Sequence, residues 1–148
     1  MYGGILVRQT DTVRQMVEAL TNSLYAEEMV CSMASQLHYI PEMANVNGLK
    51  ETHDALVPAS YHRVTAVGTG KRILQGDQHP SLWNVIEYCI RDAEKMDAAV
   101  RMGLNKMLAA APSAYRGFVE RIIEWQKHKE QTFKIAKAAY EHIKGPVS

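Results

Sequence analysis

Four long segments of this chain carry apolar residues at the spacing of one helix face, and this pattern constrains the fold more than any other feature. Residues three and four positions apart line one side of an α-helix, so each segment needs a partner surface to bury that side. Each segment holds roughly 25 to 30 residues, or about 40 Å of helix at 1.5 Å per residue. No strand pattern competes with these segments. Four rods of similar length predict an all-α four-helix bundle, with residues 1–148 as a single domain.

Proline, glycine and capping residues divide the chain into the four predicted helices. The predicted bounds are Thr10 or Asp11 to Pro41, Leu49 to Gln75, Ser81 to Ala111, and Ser113 to Gly145. The second segment, with Leu56, Val64 and Val67 in its predicted core stripe, also contains Pro58 and Gly68, so it either continues to Gln75 or ends early. In the first case only about 20 to 25 Å of extended chain precedes the third helix, which predicts an up-down-up-down bundle. If the second helix instead ends near Gly68, the chain before the third helix is long enough to cross the bundle from one end to the other.

Charge, cysteine content and hydropathy exclude several classes of protein. Lys and Arg total 17 against 16 for Asp and Glu, and a net charge of +1 makes nucleic acid an unexpected partner. Cys31 and Cys89 are isolated in apolar surroundings, which is typical of buried thiols in a reducing compartment. No segment reaches the roughly 18 uninterrupted apolar residues of a membrane span, and residues 1–9 are too short for a signal sequence. We expect a cytoplasmic protein that does not enter a membrane.

Polar residues interrupt the predicted core-facing stripe near the middle of every segment. Glu27 interrupts the first stripe and Asp97 the third, while His62 occupies the middle of the second. Gln126 and Lys129 interrupt the fourth. Rods of equal length bring their midpoints together, so these side chains predict a polar layer across the core. A buried unpaired charge costs several kcal/mol, so the charged side chains of the layer either bind a cation or pair with one another. The third possibility is that each side chain individually extends to solvent at the edge of its stripe.

Three stretches of the sequence resemble the ferritin-like superfamily, in particular bacterioferritins and the mini-ferritins that protect DNA in starved bacteria. The first helix of those proteins, which carries a glutamate ligand at the place of Glu27, is similar to residues 20–40, LTNSLYAEEMVCSMASQLHYI. Their last helix is similar to residues 118–131, FVERIIEWQKHKEQ, and the end of their second helix to residues 71–76, KRILQG. The resemblance implies a ferritin-like bundle that binds iron or manganese and assembles as a homo-oligomer.

The resemblance also implies a di-metal ligand set, which this sequence holds only in part. Ferritin-like di-iron sites take a Glu-x-x-His pair from each of the second and fourth helices. At the corresponding positions the second helix has His62, and the fourth has Gln126 and Lys129, whose ammonium could take the place of a metal ion. The metal-site residues implied by the resemblance are Glu27, His62, Asp97, Gln126 and Lys129.

Two functions therefore stay open. The first is a ferritin-like, stress-related protein that handles iron or manganese, with ferroxidase-type activity limited by the incomplete ligand set. The second is a metal-free oligomeric scaffold or interaction protein, in which a buried network that includes Glu27, Asp97 and Lys129 replaces the metals. DNA protection of the mini-ferritin kind would need a basic tail, which neither residues 1–9 nor residues 142–148 supply.

Overall fold

The computed structural model describes residues 6–144, and over this range the chain forms four α-helices and no strand. The helices are α1 (Leu6–Leu37), α2 (Leu49–Leu74), α3 (Ser81–Ala110) and α4 (Ser113–Lys144). The predicted all-α four-helix fold is confirmed. Helix α1 begins earlier than predicted, so Asp11 lies inside the helix, where it pairs with Arg14 instead of capping. The predicted helix end at Gly145 and the chain ends, residues 1–5 and 145–148, lie outside the described residues.

Each helix is antiparallel to the two helices beside it. Helix α1 packs against α2 and α4, and α3 packs against the same two helices. Residues 75–80 connect α2 to α3, and Gly76 turns the chain there with φ of 102°, a conformation that suits glycine. Pro58 lies inside α2 without ending it. The bundle therefore has the up-down-up-down topology, and the short connection between α2 and α3 leaves no crossover.

The core consists of two apolar clusters, one in each half of the bundle. Leu20 and Phe133 belong to the cluster near the beginning of α1 and the end of α4. Leu104 and Ile122 belong to the cluster at the opposite end, where α3 ends and α4 begins. Within the described range, no helix combines the length and the apolar character needed to cross a membrane. The two clusters leave a gap at mid-height, and the polar residues lie there.

Helix α2 faces the core with small residues more than with large apolar ones. Its buried residues are Leu49, Thr52, Ala55, Leu56, Ala59, His62, Arg63, Ala66, Val67, Thr69 and Gly70. Small side chains let α2 approach its neighbours closely, since a Cβ atom at Gly70 would lie only 2.7 Å from Val17 Cγ2. Val64, predicted to line the core, is 56% exposed. That prediction was wrong because a valine gives a stronger apolar signal in the sequence than alanine or glycine does. In α2 the alanines and Gly70 are the residues that face inward.

Candidate functional site

Each helix contributes one charged side chain to a buried layer between the two apolar clusters. These residues are Glu27 of α1, Arg63 of α2, Asp97 of α3 and Lys129 of α4, each at most 3% exposed. We call them the charged quartet. Two negative and two positive charges leave the quartet neutral, which makes its burial tolerable because an uncompensated charge in an apolar core is costly.

Lys129 connects the two acidic members of the quartet. Its Nζ atom donates a hydrogen bond to Glu27 Oε1 at 2.8 Å and lies 3.5 Å from Asp97 Oδ1. Asp97 Oδ1 accepts no hydrogen bond from the described residues, so the second contact is an ion pair without hydrogen-bond geometry. Helices α1 and α3 lie diagonally across the bundle and do not pack together. The ammonium of α4 therefore links two helices that do not pack against each other.

Arg63 makes the corresponding link from the other side of the core. Its Nη1 atom lies 3.3 Å from Glu27 Oε2, and its Nη2 atom lies 2.5 Å from Asp97 Oδ2. Its Nε atom donates to Ser23 Oγ at 2.9 Å, and its guanidinium carbon lies 4.4 Å from the centre of the Phe133 ring. The planar guanidinium can meet this many partners because its donors form a fixed fork and its face stacks on an aromatic ring.

Two neutral side chains surround the quartet. Ser23, which accepts from Arg63, donates in turn to the backbone carbonyl of Lys129 at 3.0 Å. Gln126 donates through Nε2 to the Asp97 carbonyl at 3.5 Å and to Glu130 Oε2 at 3.2 Å. Its Oε1 atom is buried and has no partner among the described residues. Gln126 thus lies at the edge of the layer, between the quartet and the surface ion pair of Glu130 with Arg101.

His62 belongs to a separate pair at the junction of α2 and α3. Its Nε2 atom lies 2.5 Å from Asp92 Oδ2, and its ring contacts Tyr61 and Tyr88 edge-on, with centroids 5.8 and 5.5 Å away. Its Nδ1 atom is buried and has no partner among the described residues. The structure therefore brings Glu27 together with the other predicted site residues of α3 and α4 but directs His62 elsewhere.

Arg63 is the site residue that the sequence did not reveal. It stands on the face of α2 formed by Ala59, Ala66 and Gly70, where small neighbours give its long side chain room. One signal does point to it, because two buried carboxylates with a single buried lysine leave one negative charge without a counterion. A second cation on the second helix restores neutrality, and among the lysines and arginines of α2 it is Arg63 that lies nearest the middle.

The donor set of the layer does not fit the di-metal centre that the ferritin-like resemblance implies. Across the side chains that the structure describes, no three His, Cys, Asp or Glu residues are arranged to hold a metal ion. The layer itself offers two carboxylates, Glu27 and Asp97, and both already contact Arg63 and Lys129. Arginine stays protonated in proteins, so a metal ion here would meet fixed positive charge.

Two further groups of titratable residues are a pair of histidines away from the layer and a thiol at its border. His38 follows the end of α1, and its ring contacts that of His53, with the ring centroids 3.8 Å apart and the ring planes tilted by 49°. Burial, and then the neighbouring His38, lower the pKa of His53. Cys31 Sγ lies 3.2 Å from Ser60 Oγ and 3.8 Å from Glu27 Oε1 of the quartet, and burial raises the pKa of its thiol. Cys31 and Cys89 are both free.

The fold and the quartet together define the class of this protein as an up-down-up-down four-helix bundle with a neutral charged layer in its core. Comparison with models of known families, with curated proteins and with solved structures gives no match. Membership of the ferritin-like superfamily stays a prediction from the three similar stretches of sequence. The geometry of the buried layer is therefore the main basis for inferring function.

Proposed function

We propose that this chain is a non-enzymatic helical-bundle protein of the cytoplasm that serves as an oligomeric scaffold or interaction protein. In this proposal the charged quartet stands where a ferritin-like protein would hold metal ions. The observation that carries it is the position of Lys129 Nζ, 2.8 Å from Glu27 and 3.5 Å from Asp97. A metal ion bound to both carboxylates would need the space that the ammonium fills.

The surroundings of Lys129 support this reading. A divalent cation would have to displace the ammonium, and the apolar clusters above and below the layer offer it no further carboxylate or imidazole. The layer is also closed to solvent, since the side chains of Lys129 and Arg63 are 0% exposed, that of Glu27 is 1% exposed and that of Asp97 is 5% exposed. A substrate could not reach these carboxylates without opening the bundle. The outer surface is then the part of the molecule that can contact a partner.

Metal analysis of the purified protein, followed by thermal melting with added Fe(II) or Mn(II), tests the proposal. We expect no stoichiometric metal and an unchanged melting temperature. A metal that occupied the layer at 100 times its dissociation constant would add about 2.7 kcal/mol, or roughly 5–10 °C, to a chain of this size. The two results are therefore well separated.

Two alanine variants identify the site of any metal that does bind. Glu27→Ala removes a carboxylate of the quartet, and Glu28→Ala removes the neighbouring exposed carboxylate. Stoichiometric binding with a stability gain that disappears only in Glu27→Ala would overturn the metal-free proposal and favour a metal-handling protein. Binding lost only in Glu28→Ala would place the ion on the surface and leave the proposal standing.

A further inference from the structure

Helices α2 and α3 carry most of the large hydrophobic side chains that are exposed in the described chain. Val57, Tyr61 and Val64 of α2 are 73, 67 and 56% exposed, and Val85 and Tyr88 of α3 are 36 and 61% exposed. They account for five of the nine large hydrophobic residues that are exposed in the described chain. Such clustering distinguishes an interaction surface from the scattered apolar residues of an ordinary one.

The exposed side of α2 carries a regular pattern of its own. Six exposed residues follow one another at intervals of three and four along this side: Asp54, Val57, Tyr61, Val64, Gly68 and Lys71. We call them the outer α2 stripe. Intervals of three and four place residues in one line along a helix, as in the seam of a coiled coil. The stripe is acidic at one end, basic at the other and uncharged between them.

Gly68 gives an independent indication that another helix approaches this face. It lies within α2, where glycine costs about 0.5–1 kcal/mol relative to alanine. Yet a Cβ atom at Gly68 would have no atom within 4 Å apart from its chain neighbours and the adjacent backbone of α2, so no packing contact within the described chain requires the glycine. Close approach of a second backbone from outside is a physical reason for a glycine at an exposed helical position.

We propose that a second copy of this chain packs on the outer α2 stripe, with the two α2 helices antiparallel about a twofold axis. The axis passes between Tyr61 and Val64, so each tyrosine meets the valine of the other copy. Val57 then meets Gly68, a large residue against a small one. This arrangement names the partner for the scaffold role proposed above and rests on that role.

The charges at the two ends of the stripe fit the same antiparallel arrangement. Asp54 lies as far before the axis as Lys71 lies after it, so each aspartate meets the lysine of the other copy, and the symmetry makes the contact twice. Among the described residues, the ion-pair partner of Asp54 is Lys50, in a weak exposed contact at 3.9 Å. A parallel arrangement would instead bring like charges together at both ends. The pattern therefore favours a second copy over an unrelated partner.

Sedimentation velocity of the full chain over a range of concentrations tests the interface. We expect a dimer whose dissociation constant rises by about tenfold or more in Val64→Lys. The matched control is Ile135→Lys on α4, where the isoleucine is 60% exposed, and we expect it to leave dimerisation unchanged. Circular dichroism confirms that both variants fold. A wild-type chain that stays monomeric at the highest soluble concentration overturns the proposal, as does a dimer that Val64→Lys leaves intact.

Charge exchange tests the antiparallel geometry. Asp54→Lys alone and Lys71→Asp alone each place like charges together twice, and we expect each to weaken the dimer by roughly threefold to tenfold. The double variant exchanges the charges and should restore the wild-type dissociation constant. A double variant as weak as either single variant would show that the pairing is wrong. Metal titration tests the buried quartet of the proposed function. An oligomer that Val64→Lys leaves intact overturns the outer α2 stripe alone, because an oligomeric scaffold then still stands.

Discussion

Substitution of Lys129 by methionine removes one positive charge from the quartet while keeping a side chain of similar length. Glu27 and Asp97 then share Arg63 as their sole remaining partner among the charged side chains of the layer. The layer changes from neutral to a net charge of −1 at a place where the side chains are 0 to 5% exposed. We therefore expect a large loss of stability from a single substitution.

The expected loss follows from the two distances. With an effective dielectric constant of about 20, the 2.8 Å contact corresponds to about 6 kcal/mol of attraction and the 3.5 Å contact to about 5 kcal/mol. Repulsion from Arg63 and the lost hydration of the ammonium oppose several kcal/mol of this attraction. Removal of one partner from a buried ion pair costs about 3–5 kcal/mol, and we expect Lys129→Met to lower the free energy of unfolding by that amount.

Urea unfolding followed by circular dichroism measures this loss, with Lys127→Met, at an exposed position of α4, as the control. The control should change stability by less than about 0.5 kcal/mol. The double variant Glu27→Gln/Lys129→Met is neutral again and should be more stable than Lys129→Met alone. The reasoning is refuted if Lys129→Met costs less than about 1 kcal/mol, or if the double variant loses the sum of the two single losses.

Three other predictions concern packing and titration. Gly103→Ala should lower the free energy of unfolding by about 1–3 kcal/mol, because the added Cβ would overlap α2. Gly117→Ala has open space and should raise the free energy of unfolding by up to about 1 kcal/mol, and equal effects of the two variants in urea unfolding would contradict the packing. Burial and the neighbouring His38 lower the pKa of His53 from 6.5, so the unfolded chain binds more protons than the folded chain. The free energy of unfolding should therefore fall as the pH drops through 6.5, and His53→Gln should make this dependence on pH less steep. Since burial raises the pKa of the Cys31 thiol, the folded chain should react with a thiol reagent at mildly alkaline pH more slowly than the urea-unfolded chain, and equal rates would disprove this.

The fold was predictable from the sequence because its determinants are local. Ser81 and Ser113 follow proline-containing breaks, and the stripes of α3 and α4 have large apolar residues at nearly every core position. Helix α2 was harder, because its core face consists largely of alanine, threonine and glycine, whose apolar signal is weak. The choice between an up-down-up-down bundle and one with a crossover depended on the residue at which α2 ends. The sequence does not determine that residue, because Gly68 and Gly70 weaken the helical signal near the end of the segment.

The buried layer was predictable in part for the same reason. Glu27, Asp97 and Lys129 each interrupt a strong apolar stripe, so they were recognisable as inward-facing. Arg63 escaped notice because arginine is rarely fully buried and its stripe was displaced toward Val64. Sequence alone also left open whether the two carboxylates bind a metal ion or pair with positively charged side chains. The answer depends on distances between helices that are far apart along the chain.

The quartet also has a consequence for how the helices align lengthwise. Apolar stripes tolerate a slide of one helix past another by one turn, about 5.4 Å, because the next apolar residue takes the place of the first. A charged side chain has no such substitute, since the same slide would move it from its counterion into one of the two apolar clusters. Apolar replacement of a complete buried ion pair is often neutral or stabilising, so strength is not what the charges mainly supply. We therefore expect the quartet to select one register of the four helices from the several that the apolar stripes alone would accept.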